Sequence, residues 1–128
     1  MMLATDWDAF GLAKDPFVGG VTLSGVHDLK PLVLASMNTD LRLTNAEAAR
    51  ISPVNHISLS EAPLLIAVGG AETSEFIRQA RLLWDAWPDN AQPAAGPLIV
   101  AGRHHFSVVV DHADPESELT RATLALFR

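Results

Sequence analysis

Three apolar runs divide the chain: GGVTLSGV (Gly19–Val26), PLLIAVGG (Pro63–Gly70) and PLIVAG (Pro97–Gly102), each bounded by Pro or Gly. The last two are apolar without alternation, the pattern of parallel strands covered on both faces. After the second run, SEFIRQARLLWDAW sets Phe76, Ala80, Leu83, Trp84 and Trp87 on one stripe at helical spacing. Arg78, Arg81 and Asp85 fall outside that stripe, and Pro88 ends the element. After the third run, DPESELTRATLALF predicts a helix with Asp114 as N-cap, Pro115 at its first position and Leu119, Ala122, Thr123 and Leu126 facing inward. Strand, helix, strand, helix at these spacings predicts right-handed parallel crossovers: an α/β fold of three parallel strands with crossover helices.

The segment between the first two runs does not fit a single crossover. About 35 residues, 27–61, separate them, more than one helix needs. Within it TNAE (Thr44–Glu47) is a capping box that opens a short helix ending before Ser52-Pro53. An insertion after a parallel strand overhangs the edge where such sheets bind ligands, so residues 27–61 are expected to form a helical lid or pocket wall. MMLATDW at the start reads as the last turn of a helix without its cap, an expectation that further chain precedes it. There are no internal repeats, the loop DNAQPAAGP is too short to be a linker, and residues 1–128 are read as part of one domain.

Composition narrows the function classes. The 128 residues are 48% hydrophobic and 19% charged, a globular balance. A net charge of −6 argues against nucleic acid or anionic lipid as partner. With no cysteine, disulfides, thiolate metal sites and a Cys nucleophile are excluded. No run reaches membrane-spanning length and no signal segment is recognisable, so a cytoplasmic protein is the default expectation.

The candidate chemistry lies just past two strand ends. GGAETSEF offers Glu72 and Glu75, and GRHHF offers His104 and His105. In a parallel sheet both loops share the carboxyl edge, so an acid from one can orient an imidazole from the next, the supporting half of nucleophilic catalysis. Glu75 belongs to the first helical turn, where a carboxylate complements the helix dipole. Glu72 lies on the loop after two glycines and is the better candidate. Adjacent histidines on an extended segment point to opposite sides, so only one can face the acid, and spacing does not choose between them. The same divergence argues against a metal site at His104, His105 and His112, and no HExxH or CxxC spacing supports one. The bland reading of all these groups is solvated loop residues. Trp84 and Trp87 read as core. Ser24, Ser58 and Ser60 read as ordinary strand or loop serines, none in a G-x-S-x-G turn, and the glycine pairs lack phosphate-loop spacing, so no cofactor is expected.

Taken together, GGVTLSGVHDLKPL, APLLIAVGGAETSEFIRQARLLWDAW and AGRHHFSVV resemble the carboxyl-terminal half of α/β-hydrolases of the kynurenine formamidase (arylformamidase) type. The resemblance covers nearly the whole chain, with GGAETSEFIRQ and HHF its most specific parts. It implies a Ser–acid–His triad with Glu72 as acid and His105 as base, acting on an N-formyl amide such as N-formylkynurenine or on a small ester. Two positions depart from the family: its acid is often aspartate, and tyrosine often stands where this chain has His27. The family's HGG oxyanion loop and G-x-S-x-G elbow have no counterpart here, so the resemblance implies an acid, a base and part of a lid without a nucleophile, inactive alone. The first strand would then expose an edge able to pair with a separate amino-terminal half or a second copy. The alternatives are a non-catalytic α/β module binding a small acid or a partner chain and, less favoured, a self-contained hydrolase using Ser24.

Overall fold

The structure, a computed structural model, describes residues 1–127. Four strand segments form one sheet: β1 (Gly20–Leu23), β2 (Leu64–Gly69), β3 (Ala91–Gln92) and β4 (Leu98–Val100), with every pairing parallel. β2 is central. Ala67 is in register with both Leu23 of β1 and Leu98 of β4, which places β1 on one edge of β2 and β4 on the other. β3 pairs with the start of β2 at Leu64 and Leu65, on the edge that β4 continues.

All six residues of β2 are buried, which is why its sequence does not alternate. Its period-2 geometry still sorts side chains by face. Leu64, Ile66 and Val68 pack with Ala80, Leu83 and Trp87 of the helical layer and with Leu3. Leu65 and Ala67 pack on the other side with Val100, Val108 and Leu119. Helices thus cover both faces: α3 (Ser74–Ala86) on one, and α4 (Ser107–Val110) with α5 (Glu118–Ala125) on the other. The 27–61 segment carries two short helices, α1 (Asn38–Leu41) and α2 (Asn45–Ile51), between 3-10 turns at Lys30–Leu34 and Pro53–Asn55. The capping box of α2 is formed as its sequence predicts, with the Thr44 side chain accepting from the Glu47 N–H and the Glu47 carboxylate accepting from the Thr44 N–H. Trp84 and Trp87 donate their indole N–H groups to the Pro93 and His56 carbonyls at 2.9 and 2.8 Å, a packing role for both.

Several boundaries differ from expectation. The DNAQPAAGP loop contains β3, which is too short to show a pattern. The final helix begins at Glu118 under a Ser117 cap rather than at Asp114. The Asp114 carboxylate instead accepts from the Glu116 N–H two residues on, closing a turn, while the Ser117 hydroxyl accepts from the Thr120 N–H at 3.1 Å. A local side-chain bond has displaced the helix start by three residues. β1 stops at Leu23, because Ser24 takes φ 51°, outside the extended region. Residues Met2–Ala4 form one 3-10 turn that seats Leu3 in the core. Among the described residues no helix is long and apolar enough to cross a membrane.

Candidate active site

The loops after β2 and β4 meet at the carboxyl edge of the sheet. The Gly70 N–H donates to the Val100 carbonyl at 2.8 Å and the Ala71 N–H to the Arg103 carbonyl at 2.9 Å. This approach requires glycine at position 69, where a Cβ would lie 2.3 Å from the Arg103 carbonyl oxygen. The Arg103 side chain holds the second loop in turn, donating from Nε and Nη2 to the two oxygens of the buried Asp111 carboxylate at 3.0 and 2.9 Å.

Glu72 and His105 are brought together by this frame. His105 Nδ1 lies 2.7 Å from Glu72 Oε2, with the glutamate side chain fully buried and the imidazole about half exposed. Glu72 Oε1 accepts from the Gly69 N–H at 2.8 Å and from the Ser24 hydroxyl. Burial pushes the Glu72 carboxyl upward, but the Ser24 hydroxyl, the Gly69 N–H and His105 together outweigh it and hold the group below the usual glutamate range. The His105 ring lies against Phe76, centroids 4.6 Å apart, and Phe106 meets it edge-on at 5.5 Å. With Nδ1 engaged, Nε2 is the ring atom free to exchange a proton across a shallow cleft lined by Ala71, Thr73, Phe76 and Phe106.

The other candidates separate from this pair. His104 is exposed, and its Nδ1 accepts the Phe106 and Ser107 N–H groups at 3.3 Å, a local bond at the start of α4. Glu75 pairs with Arg78 at 2.7 Å, which holds its carboxyl below the ordinary range. His112 lies exposed in the 3-10 turn after α4. Among the described residues no three His, Cys, Asp or Glu side chains converge on a common point. The Ser58 hydroxyl bonds the Ser60 carbonyl, and that of Ser60 the Asp15 carboxylate, both structural.

Sequence reasoning missed two participants. Ser24 is not an ordinary strand serine: it is buried at the carboxyl end of β1 with its hydroxyl on the acid. Its signal was position, a polar residue before a glycine where a parallel strand ends. Gln79 interrupts the apolar stripe between Phe76 and Leu83 and is 1% exposed. Its Oε1 accepts the N–H groups of His27 and Asp28 at 2.8 and 2.7 Å, and its Nε2 donates to the Asp28 carbonyl at 2.9 Å and to Glu75 at 2.8 Å. It ties the chain leaving β1 to α3.

The chain thus has a parallel sheet with helices on both faces and a carboxylate–imidazole pair at its carboxyl edge, the edge at which open α/β sheets bind ligands. No family model matches the chain. It is 25% identical over 132 residues to kynurenine formamidase of Salmo salar and 26% identical over 132 residues to that of Danio rerio. Each alignment takes in 99% of this chain but only 45% and 44% of the relative, so the chain spans less than half the length of the curated relatives it matches. A solved structure from Silicibacter sp. TM1040, provisionally described as a thioesterase, superposes with a TM-score of 0.69 at 34% identity, covering 81% of this chain and 38% of that one.

Proposed function

We propose that this chain carries the acid–base half of a serine hydrolase site and corresponds to the carboxyl-terminal part of an enzyme of the kynurenine formamidase type. The observation that carries the reading is the 2.7 Å separation between His105 Nδ1 and the buried carboxylate of Glu72. In this reading Glu72 fixes the tautomer, and His105 Nε2 takes the proton of a serine hydroxyl as that oxygen attacks a formyl amide or small-ester carbonyl. The imidazolium then returns the proton to the leaving amine or alcohol, and a water repeats the cycle to release the acid. Ser24 is not that serine, because its hydroxyl is given to the acid rather than to the base. The nucleophile and the oxyanion donors come from sequence this chain does not contain, in keeping with its coverage of under half of its relatives. Residues 27–61 form a wall of the pocket, and the outer edge of β1 receives the companion segment or, failing it, a second copy.

The test is hydrolysis of N-formylkynurenine and a p-nitrophenyl ester by the 128-residue chain and its His105→Ala variant, both checked for folding by circular dichroism. A folded, inactive chain is expected. Extending it in frame with the upstream coding sequence, expected to encode G-x-S-x-G, then confers activity that His105→Ala abolishes. Activity in the short chain that is lost with His105 would locate a nucleophile within these residues and overturn the divided site. An inactive extended product would favour the non-catalytic module.

A further inference from the structure

Glutamate presents its carboxylate on a flexible stem, and the terminal torsion is broad and nearly two-fold, so nothing intrinsic fixes the plane that faces a histidine. In this site one fixing contact is local, the Gly69 N–H on Oε1. The other comes from the neighbouring strand, the Ser24 hydroxyl on the same oxygen. Two donors from different elements hold Oε1, which leaves Oε2 aimed at His105 Nδ1. Ser24 is itself held firmly: it is 8% exposed, and its N–H donates to the Ala67 carbonyl at 2.9 Å. It also sits at φ 51°, a left-handed conformation in which glycine is the ordinary occupant. A serine kept where glycine is cheaper for the backbone points to use of its side chain.

We infer that Ser24 is a positioning residue, whose hydroxyl orients the Glu72 carboxylate and through it sets the tautomer of His105. The inference rests on the proposed Glu72–His105 pairing. The backbone strain supplies a way to separate positioning from stability. Ser24→Gly removes the hydroxyl but suits φ 51°, whereas Ser24→Thr keeps the hydroxyl but sets a β-branched side chain in an unfavourable conformation. Stability and site geometry should therefore move in opposite orders.

The measurement is the ring-nitrogen tautomer of His105 in the 15N-labelled chain by long-range 1H–15N correlation at about pH 9, on the alkaline side of ordinary histidine titration. Wild type is expected to carry the proton on Nδ1. Glu72→Gln should shift it largely to Nε2, and Ser24→Ala and Ser24→Gly should give a mixture, while Ser24→Thr keeps the wild-type tautomer despite a lower urea midpoint. A wild-type tautomer in both Ser24→Ala and Ser24→Gly overturns the inference, as does a tautomer that follows stability across the series. An unchanged tautomer in Glu72→Gln would instead remove the pairing beneath it. If Ser24→Thr does not fold, the comparison of Ser24→Gly with wild type decides the matter.

Discussion

Removing the Gln79 amide should unfasten the segment after β1 from α3. In Gln79→Ala the N–H groups of His27 and Asp28 and the Asp28 carbonyl lose their partner at once. A buried backbone group left without a bond costs about 1–3 kcal/mol. Three such groups would reach roughly 3–9 kcal/mol if none were rescued. Asp28 is only half-buried, so water can reach its two groups, and the His27 N–H bears most of the cost. Adding the cavity left by the truncated stem, the net expectation is about 3 kcal/mol, a large share of the 5–15 kcal/mol that a domain commands. Urea unfolding followed by tryptophan fluorescence, to which buried Trp87 contributes with Trp7 and Trp84, measures it, with an unchanged m-value as the sign of intact two-state behaviour. Gln79→Met keeps the stem and loses all four bonds, so it divides packing from hydrogen bonding. A loss in Gln79→Met close to that in Gln79→Ala is expected. A Gln79→Ala cost below about 1 kcal/mol, or a fully stable Gln79→Met, would refute the reasoning, because either would mean these backbone groups find other partners.

Two further effects follow from the same region. Gly69→Ala places a Cβ 2.3 Å from the Arg103 carbonyl oxygen and 3.0 Å from Glu72 Oε1, so the loops after β2 and β4 must part, at a cost of about 2 kcal/mol in urea unfolding; an unaltered midpoint would mean the loops are not held this close. Burial lowers His27 from 6.5 to about 4 in the folded chain. The unfolded chain then takes up the proton first as pH falls, so this stabilisation is complete above about pH 6.5 and is lost towards pH 4, by up to about 3 kcal/mol. His27→Gln should flatten stability between about pH 6.5 and 4.5, above the main carboxylate range, and parallel curves for the two proteins would contradict the buried, neutral imidazole.

Much of this architecture was legible because its signals are local. β2 reads as a covered parallel strand since six consecutive buried residues leave no room for alternation. α3 shows its stripe and α2 its capping box, because both depend on residues three or four apart. The displaced start of α5 has an equally local cause, but Asp114 and Ser117 are both competent caps, and sequence offers no rule for which one the chain uses. β3 escaped notice because two residues cannot carry a period.

The pairing of Glu72 with one histidine of two shows where sequence stops. Alone it pointed to an acid and two imidazoles following two parallel strands, and thus sharing one edge of the sheet. The tertiary structure turned His105 inward onto Phe76 and left His104 to bond the start of α4. Likewise, the run Gly19–Val26 and the stripe of Phe76, Ala80 and Leu83 were visible in the sequence, but not that Ser24 meets a carboxylate 48 residues away or that Gln79 holds a loop about 50 residues back. Those partners are chosen by sheet register and helix docking, which sum many weak contacts across the whole chain. No short window of residues contains that sum.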